Sequence, residues 1–81
     1  MDPYSPSCLL HDVKGVHYPV FTQFQADDEY LCQSMCLRVT ECKMFSFWPS
    51  TLHCVMYNVI ELATDYLAIS GFGNRNCKPP T

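Results

Sequence analysis

Apolar residues along the chain fall into one segment with helical spacing and several with strand spacing. Asp27-Asp28-Glu29 opens the helical one, and acidic residues suit the positive end of a helix dipole. The spacing predicts a helix running to about Arg38, a cation near its C-terminal end. Cys32 and Cys36 lie four apart and share one helix face, with Leu31 and Met35 flanking them at the same spacing. That face is expected to point inward. The β-branched Val39 and Thr40 mark its end.

The segment Cys42 to Trp48 alternates as a strand, with Phe45 and Phe47 on one side and Met44 and Ser46 on the other. Pro49-Ser50-Thr51 reads as a turn, and Leu52 to Tyr57 as a second strand that completes a hairpin. Cys54 and Met56 share one of its faces. Upstream, Cys8 to Val13 is a short apolar strand broken by Gly15. Val16 to Phe24 is β-branched and aromatic, and Pro19 there points to an edge or a bulge. Ile60 to Tyr66 suits either a loop or a short helix. Leu67 to Ser70 is a short strand ended by Gly71 and Gly73. No segment repeats. The expected class is α+β, a single helix packed against an antiparallel sheet.

An 81-residue chain holds one domain, and a core of that size is often supplemented by covalent staples. Its six cysteines supply them. An even set in a short chain reads as three disulfides and an oxidising compartment, so the expected location is secreted or extracellular, with a secretory organelle as one route. The start, Met1-Asp2-Pro3-Tyr4-Ser5-Pro6, has neither the basic nor the apolar region of a signal peptide. Residues 1–7 are therefore read as a linker or an artificial start, 8–77 as the domain, and the Pro-rich 78–81 as a second linker between modules.

The net charge is −3, and the five cations, Lys14, Arg38, Lys43, Arg75 and Lys78, are scattered. That distribution argues against a nucleic-acid partner. The apolar runs are too short for direct membrane insertion.

Six cysteines allow 15 pairings, and sequence alone does not choose among them. Geometry narrows the set. Cys32 and Cys36 project in parallel from adjacent helical turns, a poor orientation for bonding each other. Cys42 follows the helix closely enough to fold back on Cys36, and Cys54 can meet Cys32 from the hairpin. Cys8 and Cys77 are then left to tie the two ends.

The run Cys32-Gln33-Ser34-Met35-Cys36, followed by Cys42-Lys43-Met44-Phe45-Ser46-Phe47, Cys54-Val55-Met56, Ala68-Ile69-Ser70-Gly71-Phe72 and Cys77, resembles the apple domain of the PAN superfamily. The resemblance covers Cys8 to Cys77. It implies pairing of first with sixth, second with fifth and third with fourth: Cys8–Cys77, Cys32–Cys54 and Cys36–Cys42. It also implies a sheet curved around the helix. Similar domains stand in tandem in blood proteases of the plasma prekallikrein type and in microneme adhesins of apicomplexan parasites. There they bind proteins or sugars and carry out no chemistry. The turn between Phe47 and Cys54 is shorter than the blood-protease pattern, which favours the adhesin branch.

The residues offer little competing chemistry. His11, His17 and His53 lack the spacing of zinc ligands, and no Cys-x2-Cys pair is present. No metal or other cofactor is expected. A Cys nucleophile would need a free thiol, no Gly-x-Ser-x-Gly elbow exists, and the acids at 27–29 are explained as helix-start residues. No catalytic residue is assigned. Trp48, beside Pro49 at the hairpin tip, and Tyr57 are the candidate ligand contacts, although a core-capping role suits Trp48 equally; Tyr18 and Tyr66 share the same choice between contact and core. Met35, Met44 and Met56 read as core filler.

The expected function is that of a non-catalytic extracellular recognition module, one of several tandem repeats in an adhesin. Its expected partners are a host-surface or extracellular protein or glycan, and the neighbouring repeats. The alternative is a regulatory ligand-docking module of a secreted serine protease zymogen, and a purely structural spacer is a third reading.

Overall fold

The computed structural model describes residues 9–16 and 22–73. Five strands and one helix appear in the order β1 (Leu10–Gly15), β2 (Thr22–Gln25), α1 (Glu29–Arg38), β3 (Met44–Trp48), β4 (His53–Tyr57) and β5 (Leu62–Phe72). The strands form one antiparallel sheet in the order β1-β5-β3-β4-β2, with α1 packed mainly on β3.

The helix begins where its acidic start predicts. Asp28, in extended conformation, is the N-cap, and its Oδ1 accepts the Leu31 N–H at 2.8 Å. Such a cap contributes about 1 kcal/mol by satisfying a donor that the helix cannot. Val39 closes the helix, its N–H donating to the Cys36 carbonyl at 3.1 Å. The inward face differs from the expectation. Cys32, Gln33 and Cys36 are buried, whereas Leu31 is 41% exposed and Met35 only half-buried. The cysteines lead the inward stripe because their bridges draw them onto the sheet.

Met44, Phe45, Ser46 and Phe47 are all at most 1% exposed, so β3 is covered on both faces. On the helix side, Phe45 and Phe47 meet Cys32, Cys36, Cys54 and Met56. Each ring contributes roughly 1.5–3 kcal/mol by leaving water. On the other side, Met44, Val55 and Tyr57 make a second, smaller core with Trp48 and Phe72 packed against it. The alternation read from sequence is correct, but neither face of β3 is left to solvent.

The β1·β5 ribbon supplies the second cover. Its register breaks between His11, opposite Ile69, and Val13, opposite Thr64. Asp12 alone on β1 therefore faces Asp65-Tyr66-Leu67-Ala68 on β5. Asp12 sits in the left-handed region at φ 68°, which marks the corner. Beyond it the ribbon lies over the outer face, with Gly15 against the Tyr57 ring. A Cβ at Gly15 would stand 2.6 Å from that ring, so only glycine allows the approach. Gly15 is thus the last residue of β1, which runs two residues past the expected end at Val13. Likewise the segment from Leu62 onward is strand, neither loop nor helix.

A buried relay holds the ribbon down. The Gly15 N–H donates to Ser46 Oγ at 2.8 Å, and Ser46 Oγ lies 2.9 Å from Ser70 Oγ. The Ser70 hydroxyl donates to the Val13 carbonyl at 2.6 Å. Because Ser70 has spent its one proton there, Ser46 must be the donor between the two hydroxyls.

Disulfides Cys32–Cys54 and Cys36–Cys42 tie the helix to β4 and to the segment before β3, with Cα separations of 5.7 and 5.4 Å. Among the described residues no cysteine is free. The expected Cys8–Cys77 pair, His17 and Pro19 lie outside the described residues.

Candidate functional site

Side chains that could contact a ligand gather at the hairpin end of the sheet, where β3 turns into β4. Trp48 is the last residue of β3 and is half-buried. Its indole packs on the outer core, and its ring centroid lies 6.2 Å from that of His53, tilted by 45°. Its Nε1–H donates to Asp65 Oδ2 at 3.1 Å across to β5. His53 Nε2 is 2.9 Å from Gln23 Oε1 on the edge strand. In the hairpin turn Leu52 is 42% exposed and adopts a left-handed φ of 58°.

Asp65 organises the bulge beside Trp48. Its Oδ1 accepts the Leu67 N–H at 2.9 Å, closing a local turn, while Lys14 Nζ stands 3.9 Å from Oδ2. The Leu67 amide and then the Trp48 indole hold this carboxyl below the ordinary value of 3.8, against an opposing effect of burial smaller than either, and the Lys14 charge adds the least. The turn extrudes two large apolar side chains. Tyr66 is 79% exposed and Leu67 is 67% exposed.

The two sequence-predicted contacts separate. Trp48 is at this end and partly accessible. Tyr57 is 4% exposed, with its ring under Gly15 and beside Met44 and Val55, so the structure places it in the core rather than at a binding surface. Sequence spacing could not reveal this, because the residues that bury it belong to a distant ribbon. Of the other tyrosines weighed as contacts, Tyr66 is the exposed one and Tyr18 lies outside the described residues, whereas Leu67 was absent from the expected contacts. The available signal was Asp65, a turn-forming residue inside an otherwise strand-like run.

Among the described residues no three of His, Cys, Asp and Glu are placed to hold a metal ion. His11 is exposed on β1, and His53 is engaged by Gln23. Among them also, no helix is long and apolar enough to cross a membrane.

A helix bridged to a five-stranded antiparallel sheet, with its contact side chains at one end, defines a disulfide-tied recognition domain. The family model for the PAN domain matches residues 8–77, and the chain belongs to that family. No curated protein matches the chain. Among solved structures, the fold is similar to the two N-terminal apple domains of Toxoplasma gondii microneme protein 4, in a solution structure. The TM-score is 0.70 at 18% identity, over 80% of this chain and 44% of that one. This chain thus spans less than half of the two-domain structure it matches. PAN domains are recognition modules, generally non-catalytic, and disulfide-bonded members are typical of extracellular proteins.

Proposed function

We propose that this PAN domain is a non-catalytic recognition module of a secreted, multi-domain adhesin that binds protein or glycan on a host-cell surface. The observation that carries the reading is the PAN match across residues 8–77. The apple-domain fold shared with a microneme protein supports the adhesin branch, and so does the short turn between Trp48 and His53. Trp48 is the assigned ligand contact. It presents part of an aromatic ring from a backbone fixed by two strands, and such preorganisation limits the entropy lost on binding.

A single small domain offers little surface, so one copy binds weakly. Tandem copies gain roughly 10²–10⁴-fold through effective concentration. The test compares the single domain with a tandem fusion on intact mammalian cells and on immobilised glycans. The expected result is saturable binding that rises steeply with copy number and falls in Trp48→Ala, which removes the presented ring. No binding of the tandem form to either surface refutes the adhesin reading. Binding only to a protease substrate or to heparin supports the zymogen module instead.

A further inference from the structure

A sheet in the order β1-β5-β3-β4-β2 has two edges, and the two are finished differently. In an antiparallel pair alternate residues turn their N–H and C=O groups to the neighbour, and the residues between turn theirs away. On β1 the Val16 N–H donates to the Glu61 carbonyl at 3.2 Å, so Lys14 also faces β5, and Val13 and Gly15 face the edge. That edge is folded over β3 and capped. The Gly15 N–H is taken by Ser46 Oγ, and the Val13 carbonyl by the Ser70 hydroxyl.

The other edge is open. The Ala26 N–H donates to the Leu52 carbonyl at 2.9 Å, so Phe24 and Thr22 face β4, opposite Cys54 and Met56. Gln23 and Gln25 therefore turn their backbone groups away from the sheet. Among the described residues nothing bonds to those groups, and both side chains are exposed. Natural edges are blunted by charge, proline or a bulge. Thr22-Gln23-Phe24-Gln25 has neither charge nor proline, and its register against β4 is unbroken.

We propose that β2 is a pairing edge whose partner is β2 of a second copy, antiparallel about a two-fold axis at Phe24. This register closes every open group. Gln23 stands opposite Gln25 of the second copy, and Gln25 opposite its Gln23. All of these residues turn their N–H and C=O groups to the interface, so each forms both of its backbone hydrogen bonds. A shift of one residue sets outward groups against inward ones, and a shift of two leaves half of them unpaired within β2.

The side chains agree with it. On the outer face each pair sets one glutamine amide beside another, and an amide both donates and accepts. Gln23 Oε1 is engaged by His53, which leaves its amide N–H groups for Gln25 across the axis. On the helix side Phe24, half-buried against the main core, meets Phe24 of the second copy at the closer, non-hydrogen-bonded spacing. Asp27 and Asp28, just beyond β2, fall at opposite ends of the pair. A free peptide would have to be ordered for these few bonds, whereas β2 of a second copy is already extended and held by β4.

The contact is isologous and closes at two copies. Strands this short bury well under the roughly 1,200 Å² of stable complexes, so the pairing is weak between free domains and gains when copies are tethered. It concerns contact between copies and is independent of what Trp48 touches on a cell.

The test follows sedimentation and amide hydrogen exchange over a dilution series of the native chain and two double variants. The native chain is expected to rise to a plateau at twice its monomer mass. Exchange of the Gln23 and Gln25 amides is expected to slow in step, while that of Phe24, which already faces β4, does not. Gln23→Lys/Gln25→Lys sets like charges opposite each other in both pairs and is expected to associate at least about tenfold more weakly. Gln23→Lys/Gln25→Glu sets opposite charges there at unchanged net charge, and is expected to pair at least as tightly as the native chain. Both variants lose the Gln23–His53 bond alike, and unchanged melting temperatures establish that both are folded. A native chain that stays monomeric at every concentration overturns the proposal. So does a dimer in which the Gln23 and Gln25 amides exchange no more slowly, or an equal loss of association in the two variants.

Discussion

Replacing Cys32 and Cys54 together by alanine destabilises this domain more than replacing Cys36 and Cys42. All four cysteines are at most 3% exposed, so the burial lost is similar in the two double variants. The difference comes from the loops. The Cys32–Cys54 bridge spans 22 residues and the Cys36–Cys42 bridge spans 6. In the chain-entropy model the first restrains the unfolded chain by about 3.4 kcal/mol and the second by about 2.2 kcal/mol. Position adds to the difference. Cys32–Cys54 is the bridge that joins the helix to the sheet, whereas Cys36–Cys42 closes the turn that follows the helix. For a domain of this length each kcal/mol is worth about 4–8 °C. The Cys32/Cys54 variant is therefore expected to melt at least about 5 °C below the Cys36/Cys42 variant, and to lose its near-ultraviolet dichroism first. Thermal melts of both variants, followed in the near and far ultraviolet, make the comparison. Equal or reversed melting temperatures would refute the entropy ordering and the anchoring role together.

Ser46→Ala strands the Gly15 N–H and breaks the link to Ser70, at a cost of about 1–3 kcal/mol for an unsatisfied buried donor. Its melting temperature should fall accordingly, and the Gly15 amide should exchange with solvent faster while amides of the helix do not. Asp65 gives a pH dependence of known sign. Its folded value lies below 3.8, so its contribution is complete above that pH and is lost as pH falls through the lower folded value. The melting-temperature gap between the native chain and Asp65→Asn should therefore shrink on acidification below 3.8, with a parallel change in Trp48 fluorescence. A gap that widens on acidification would contradict this assignment.

What could be read from the sequence was local. The acidic cap, the alternation of Met44 to Trp48 and the spacing of Cys32 and Cys36 are each decided within a few residues. The helix and the central hairpin follow from them. Gly15, Tyr57 and the β5 bulge were not legible, because each depends on the β1·β5 ribbon turning back over the outer face. Tyr57 alternates like a surface or core residue alike until Gly15 lies on it. The length of β5 was hidden because Asp65-Tyr66-Leu67 interrupts its pairing without ending the strand. The resemblance to apple domains supplied the class, and with it a pairing that local geometry had narrowed but not chosen.

The same division explains how so short a chain can keep its fold while its surface varies. Both cores meet on one strand, Met44 to Trp48, and every tie of the covers runs to it or to a neighbour. On one side the bridges hold the helix, and on the other the Ser46–Ser70 relay and the Trp48–Asp65 bond hold the ribbon. These constraints occupy few positions. The hairpin turn at 49–52, the connection at 58–61 and the tip at 66–67 carry almost none of them, and all of it is exposed surface. Substitution there changes what the domain presents without uncovering either core. That is consistent with an apple-domain match at a TM-score of 0.70 despite 18% identity. Asp65 is the exception at this boundary. It belongs to the tie through Trp48 and to the tip through the Leu67 amide, so it transmits the rigidity of the outer core to the most exposed side chains of the molecule.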